Sequence, residues 1–231
     1  MERHLEPEIM DDLALDESKH VQALRGLSRI NRWSRSPQIL WPSIQAIARD
    51  SNLKVLRVLD LATGAGDVPI RLWQKARRCG LRLEIDGCDR SPLSVRYAQE
   101  SSKRAGAEAS FFPWDALEGP LPSGYDILIS SLFLHHLDRA QAVGLLRRMG
   151  QVARHGLVVN DLARSKRGWA LAVVGTRLLS SSEVVHTDGP RSVRAAYTVR
   201  EARAMAGEAG LSRATVIPVW PCRFLLTGRA C

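Results

Sequence analysis

Four cysteines are spread over the 231 residues, at 79, 88, 222 and 231, and no two of them form a Cys-x-x-Cys pair. That spacing gives no sign of a zinc site, and so few thiols do not frame a disulfide-stapled scaffold. They read as reduced thiols, buried or terminal, of a cytoplasmic protein. No apolar run reaches the roughly 20 residues of a membrane-spanning helix. The start, Met1-Glu2-Arg3-His4, has no secretory-leader layout. A Gly-Lys-Ser/Thr triplet is lacking, which removes the phosphate-cradling P-loop. Internal repeats and low-complexity segments are absent as well. Acids are the scarcer charge, 24 Asp and Glu against 33 Lys and Arg, for a net charge of +9. Arginines occur along nearly every segment, however, without the basic block and interleaved aromatics of a nucleic-acid surface, so a nucleic-acid partner is not favoured.

What is present is ordinary for a globular chain: 45% hydrophobic and 25% charged residues. The length suits one domain with a sizeable core plus an appendage. Residues 1–50 form a first block, with an acidic start (Glu6, Glu8, Asp11, Asp12) and a helical stripe of Val21, Leu24 and Leu27. Pro37 and Pro42 are expected to divide this block into two short helices, the second running through Ile44, Ile47 and Ala48. The block reads as an N-terminal helical cap ahead of the main domain, 51–231.

From Val55 strand and helix patterns alternate. Strands are expected at 55–61, 81–89, 107–113, 125–131 and 157–161, and helices at 68–79, 92–105 and 139–153. Ser91-Pro92 and Asp138 supply helix starts, and Gly106 a stop. Such alternation implies a parallel sheet covered by helices on both faces. Residues 163–197 interrupt it with an apolar helix-like stretch, Trp169 to Leu179, and then a polar loop through Asp188-Gly189-Pro190. Thr198-Val199-Arg200-Glu201 is a capping box that opens another helix. The closing segments 214–219 and 223–227, joined at Trp220-Pro221-Cys222 with no helix between them, read as an antiparallel hairpin.

The most informative stretch is Val55-Leu56-Arg57-Val58-Leu59-Asp60-Leu61-Ala62-Thr63-Gly64-Ala65-Gly66-Asp67. An apolar run ends in an acid, a small-residue loop follows, and a helix pattern starts at once. That layout brings backbone close to a nucleotide-like ligand at a helix N-terminus. The dinucleotide fingerprint wants a third glycine three residues after Gly66, where Pro69 stands. Glycine and alanine permit close approach because a larger side chain would fill the ligand's volume.

These residues resemble the first motif of class I S-adenosylmethionine-dependent methyltransferases, and Asp-Leu-Ala in front of it is similar to the quinone-biosynthesis branch. Ala62 departs from the pattern, since many members have glycine there. The resemblance implies an α/β fold with a seven-stranded, mostly parallel Rossmann-like sheet, a C-terminal antiparallel hairpin and helices on both faces. It also implies S-adenosylmethionine as cofactor, S-adenosylhomocysteine as product, and no metal. Asp60, Ala62, Gly64, Gly66 and Asp67 would then meet the methionyl and ribose parts, Asp60 lying near the cationic end. Asp89, at the end of the second strand, would take two ribose hydroxyls. Arg90 and Pro92 would flank the adenine. Asp115 would receive the adenine amino group, with Ala116 beside it and Phe112 and Trp114 as walls. Ser131, with Ser130, lies at a strand end where open α/β sheets meet ligand.

Leu134-His135-His136-Leu137 resembles the Leu-His-His segment of small-molecule and quinone methyltransferases. Adjacent histidines are expected to point apart, which argues against both ligating one metal. Methyl transfer needs in-line positioning and, for a hydroxyl nucleophile, proton removal. His136 and His186 are the candidate bases, with Asp161 and Tyr197 also considered. Residues 163–197 are expected to insert substrate-binding elements, with Asp161, Trp169, Arg194 and Tyr197 lining an acceptor pocket under the cap. The favoured activity is O-methylation of a small apolar or phenolic, polyketide-like acceptor, the alternative C-methylation of a quinone precursor. An Asn/Asp-Pro-Pro-aromatic tetrad, the mark of nucleic-acid N-methylation, is replaced by Ser131-Leu132-Phe133-Leu134. An RNA methyltransferase or a non-enzymatic nucleotide-binding protein is less favoured than either, and a nicotinamide reductase is disfavoured by Pro69 and the closing hairpin. A monomer or a homodimer fits equally.

Overall fold

A computed structural model of the chain describes residues 1–12 and 14–229. Seven strands form one sheet: β1 (Val55–Leu61), β2 (Arg82–Asp89), β3 (Ala109–Pro113), β4 (Ile127–Ser131), β5 (Gly156–Leu162), β6 (Thr215–Val219) and β7 (Arg223–Arg229). Their spatial order is β3-β2-β1-β4-β5-β7-β6. The first five pair in parallel, while β7 lies antiparallel to both β5 and β6. Strand order reverses between β1 and β4, and open α/β sheets bind ligands at the carboxyl ends of strands beside such a switch point.

Eight α-helices accompany the sheet among the described residues: α1 (Glu17–Trp33), α2 (Ser36–Asp50), α3 (Asp67–Arg78), α4 (Pro92–Ala105), α5 (Arg139–Val152), α6 (Lys166–Leu179), α7 (Glu183–Ala195) and α8 (Val199–Glu208). Side chains alternate across each strand, so each sheet face has its own core. Leu59, Leu61, Leu128 and Phe224 pack with α5 and α8, whereas Leu56, Val58, Ile127 and Val158 pack with α2 and α3. β5 is buried on both faces except at its last residue, which explains its nearly unbroken apolar sequence.

Several local expectations are corrected. The break between α1 and α2 falls at Arg35, whose φ of 60° is left-handed, while Pro37 sits in the first turn of α2 and Pro42 lies inside that helix without ending it. Residues 183–195 are not a polar loop. They form α7, which starts at Ser182, whose side chain accepts a hydrogen bond from the Val185 N–H, and carries Pro190 within it. Gly189 reads as a turn residue but is a packing device: a Cβ there would lie 2.4 Å from Thr176 Cγ2 of α6. Cys79 is exposed rather than buried, Cys88 is buried, and Cys231 lies outside the described residues. No helix among the described residues is long and apolar enough to cross a membrane.

The first block divides in two. α2 belongs to the sheet's cover, with Leu40, Trp41 and Ile44 in the core. Residues 1–12 and 14–33 instead reach across the carboxyl ends of the strands. Arg3 holds this crossing in place: its guanidinium donates to the carbonyls of Ala195 (2.6 Å) and Leu137 (2.7 Å) and lies 3.9 Å over the Tyr197 ring. The ends of 163–197 are pinned together as well, by a bridge between Ala163 and Tyr197.

Candidate functional site

At the carboxyl end of β1 the chain turns sharply, with positive φ at Ala62 (56°), Gly64 (54°) and Gly66 (71°). Ala62 is the only one of the three with a Cβ, and an L side chain in that region costs roughly 1–2 kcal/mol. The two glycines have different reasons. A Cβ on Gly64 would meet nothing within 4 Å, so that position faces open space in the cleft. A Cβ on Gly66 would strike Ala98 at 2.8 Å and Phe111 at 2.9 Å, so its smallness serves the packing of α4 and β3 rather than ligand clearance.

Asp89 clamps this turn. One carboxylate oxygen accepts from the Gly64 N–H at 2.8 Å, the other from the Ser91 N–H at 2.9 Å. Asp60 is 2% exposed and accepts from the Thr63 hydroxyl at 2.8 Å, while its Oδ1 has no partner. Burial, helped by the charges of Asp67 and Asp89, pushes the Asp60 carboxyl up to about 8. Asp67 opens α3, accepts from the Asn31 amide at 3.3 Å and leaves its Oδ2 unpaired, and burial pushes it up to about 6. Asn31 Oδ1 and Asn160 Oδ1 complete the unpartnered buried side-chain polar atoms among the described residues. Three of them are acceptors near neutral pH, and Asp60 becomes one once it ionises. Such atoms cost free energy unless a donor reaches them, so the set calls for a cationic, donor-rich ligand.

Two adjoining cavities, of about 210 and 150 Å³, meet at this turn and share Met10, Leu27, Ala62, Gly64, Leu132 and His136 as walls. Asp89, Arg90, Trp114, Asp115 and Ala116 line the smaller one, on the β2–β3 side. Asp67, Ser131, Leu171 and Thr176 line the larger, which runs under α1, α6 and α7. Ala62, Gly64, Asp67, Asp89, Arg90, Asp115, Ala116 and Ser131 therefore all border one cleft, whereas Asp60 and Gly66 lie behind its wall.

Beside the strand ends sits a compact acid–base cluster. His135 is 3% exposed, with Nδ1 2.6 Å from Asp161 and Nε2 3.6 Å from Glu8. Burial alone would lower the His135 pKa, but the flanking carboxylates of Asp161 and Glu8 outweigh it and push it up to about 10. The same contacts hold Asp161 below the ordinary carboxylate range, against a burial effect of opposite sign. His136 places Nδ1 2.8 Å from Asp11 and borders both cavities. The histidine rings do not diverge as expected. Their centroids are 4.3 Å apart at 33°, and donor atoms of Glu8, His135 and His136 lie within 4.8 Å of one another. That spacing is compact enough for a cation, and the carboxylates of Asp161 and Glu8 beside His135 favour its protonated form.

The acceptor-side expectations fare worse. His186 does not line either cavity, because its Nε2 is tied to the Ser180 carbonyl at 2.8 Å. Asp161 is 1% exposed and orients His135 rather than meeting a ligand. The Tyr197 hydroxyl donates to the Leu137 carbonyl at 2.8 Å and its ring is buried. Arg194 and Trp169 point into solvent, outside the cleft walls. Glu8, Met10, Asp11, His20 and Asn31 are cleft residues that the sequence reading missed. Only tertiary contacts bring them there. Asp188 of α7 accepts from the N–H groups of Ile9 and Met10 at 3.1 and 3.0 Å, and Ser192 donates to Glu8 at 2.5 Å. The acidic start of the chain was the one visible signal.

A family model described as a methyltransferase domain matches residues 58–156. A demethylmenaquinone methyltransferase of Thermus thermophilus is 35% identical over 95 residues, which are 40% of this chain and 41% of that protein. The match thus spans about two fifths of that relative's length. Among solved structures, a SAM-dependent methyltransferase from Aquifex aeolicus aligns over 94% of this chain and 100% of its own, with TM-score 0.60 and 20% identity. Human N-acetylserotonin methyltransferase in complex with SAM aligns over 93% of this chain and 56% of its own, with TM-score 0.67 and 17% identity. At such identities the structures establish the fold, which is the seven-stranded class I methyltransferase architecture expected from the sequence.

Proposed function

We propose, on the premise of a class I S-adenosylmethionine-dependent methyltransferase domain over residues 58–156, that this protein transfers a methyl group from S-adenosylmethionine to a hydroxyl of a small, largely apolar or phenolic acceptor. The observation that carries the reading is the pair of buried acceptor atoms without donors on residues that wall the cleft beside the Gly64 turn, Asp67 Oδ2 and Asn31 Oδ1. S-adenosylmethionine brings what they lack: an ammonium group, ribose hydroxyls and a sulfonium. Asp89 and the Asp115–Ala116 turn suit the ribose and the adenine amino group in the smaller cavity.

The larger cavity takes the acceptor. Its walls include Leu24, Leu27, Ile30, Leu171 and Leu179, which favour an apolar molecule. The sulfonium makes its own methyl group electrophilic, so the protein's tasks are alignment and removal of one proton. His136 borders both cavities and has Asp11 at its other face, which suits it to receive the hydroxyl proton. His135, kept protonated between Asp161 and Glu8, fixes the electrostatics beside it.

Titration calorimetry with S-adenosylhomocysteine is the test: binding at one site per chain, weakened about 30-fold in Asp89→Ala, supports the reading. Absence of binding, or equal affinity for NADH, overturns it. Carbon methylation of a quinone precursor is the second reading, favoured by the demethylmenaquinone methyltransferase relative. NMR of product made with methyl-13C-labelled S-adenosylmethionine distinguishes the two, because a methyl carbon bonded to oxygen resonates well downfield of one bonded to carbon.

A further inference from the structure

The mouth of the larger cavity opens among exposed apolar side chains. Trp33 at the end of α1 is 43% exposed and Trp220 in the β6–β7 turn 63%, with ring centroids 5.3 Å apart. On α6, Leu171, Val174 and Leu178 follow one another at helical spacing, i, i+3 and i+7, and Leu178 is 79% exposed. Trp33 and Leu171 line the cavity itself, so the patch is continuous with the apolar interior. Soluble surfaces carry scattered apolar residues, but a contiguous patch at a cavity mouth marks an interaction surface.

Charge indicates what covers it. No Asp or Glu occurs between Glu17 and Asp50, or between Asp161 and Glu183, the two segments that build this face. Both are basic instead, with exposed Arg29, Arg32 and Arg35 toward the end of α1, and exposed Lys166, Arg167 and Arg177 on α6. Six exposed cations thus belong to the two acid-free segments that carry the apolar stripe. A second copy seated by two-fold symmetry would set these cations against themselves. An aliphatic stripe offers bases neither stacking platforms nor hydrogen bonds, which disfavours single-stranded nucleic acid.

We infer that this face docks on an anionic lipid bilayer, with α6 lying in the interface and the cavity mouth opening into the membrane. Tryptophans belong at the headgroup level, the α6 stripe enters the acyl boundary, and the arginines and lysines meet anionic headgroups. The helix lies on the bilayer and does not span it. The inference deepens the proposed reading of an apolar acceptor, which would pass from the bilayer into the cavity without crossing water.

The test is co-sedimentation of the full chain with vesicles of phosphatidylglycerol mixed into phosphatidylcholine, and with vesicles of phosphatidylcholine alone. Binding to the first and little to the second is expected, weakening as salt rises. Val174→Glu/Leu178→Glu should reduce vesicle binding by about tenfold or more, with the circular dichroism spectrum and S-adenosylhomocysteine affinity unchanged, since neither residue lines the cleft. Absent sedimentation with anionic vesicles overturns the inference, as does undiminished binding by the double variant. A dimer in analytical ultracentrifugation that the double variant dissociates would assign the face to a second copy and overturn it too. Salt-sensitive RNA binding lost in Arg32→Glu, without vesicle binding, would do the same for nucleic acid. Cofactor affinity is measured separately, so failure of the membrane contact leaves the methyltransferase reading standing.

Discussion

The two halves of the cleft are built by opposite means. On the cofactor side, the turn after β1, Asp89 and the Asp115–Ala116 turn lie close to their strands' carboxyl ends, and their contacts run within a turn or between neighbouring strand ends, as where Asp89 reaches Gly64 across 25 residues. Thr63 bonds to Asp60 three residues away, and Ser91 to Asp89 two away. On the acceptor side nearly every contact is remote: Asp161 meets His135 across 26 residues, Asp11 meets His136 across 125, and Glu8 meets Ser192 across 184. Local chemistry suffices where the ligand is fixed by a strand end, and a folded assembly is needed where two segments must converge.

Four measurements sharpen or break that contrast, and the largest effect belongs to the acceptor side. Asp161→Asn leaves the protonated His135 buried with only Glu8 as counter-charge, and losing one partner of a buried ion pair costs about 3–5 kcal/mol. Urea titration reads this directly. The pair also sets a pH dependence. The pKa of His135 is raised by folding, so its contribution is full below its ordinary value of 6.5 and is lost as pH rises through about 10. Asp161 is lowered, so its share is present above the ordinary 3.8 and disappears as pH falls below it. Wild-type stability should decline from pH 6.5 to 10, and Asp161→Asn should flatten that decline. An unaltered slope would remove the pair from the account.

His136→Ala comes next, lowering turnover about 10²-fold while S-adenosylhomocysteine affinity stays within a factor of two. A rate that survives means no base is needed at that position, and the acceptor ionises unaided.

On the cofactor side effects should appear in affinity instead. Asp89→Ala removes the clamp on Gly64 and two charge-assisted acceptors, weakening cofactor binding by about 2 kcal/mol, or about 30-fold. The smallest effect concerns pH. Asp60 ionises in the free protein near 8, and the cationic ligand favours its charged form. Because the ligand's own ammonium loses its charge over the same range, the ratio of wild-type to Asp60→Asn affinity, rather than the wild-type affinity alone, should rise several-fold from pH 7 to 9. A flat ratio would dissociate Asp60 from the ligand's positive end.

The parts legible in advance were those whose periodicity or spacing is local. The alternation from Val55 to Leu162 and the closing hairpin gave the sheet, because period-2 burial and helix caps act within a few residues. Misreadings gathered where a distant partner overrides local preference. Asp188-Gly189-Pro190 has every mark of a turn, but Thr176 of α6 claims the space beside Gly189, and the Ser182 cap starts a helix through it. Tyr197 and Asp161 carry the polar groups a substrate site would want, yet each is consumed by a neighbour brought in by the fold: the Leu137 carbonyl for one, His135 for the other.

By itself the sequence determined the alternation of strands and helices from Val55 to Leu162 and the closing hairpin, the small-residue turn at Gly64 and the acids at 60, 67 and 89, because these follow from backbone sterics and side-chain spacing over a few residues. Only the tertiary structure decided which residues line the larger cavity. Glu8, Asp11 and the two histidines become one cluster when residues 1–12 and 14–33 cross the strand ends, and that crossing is held by contacts no local pattern encodes.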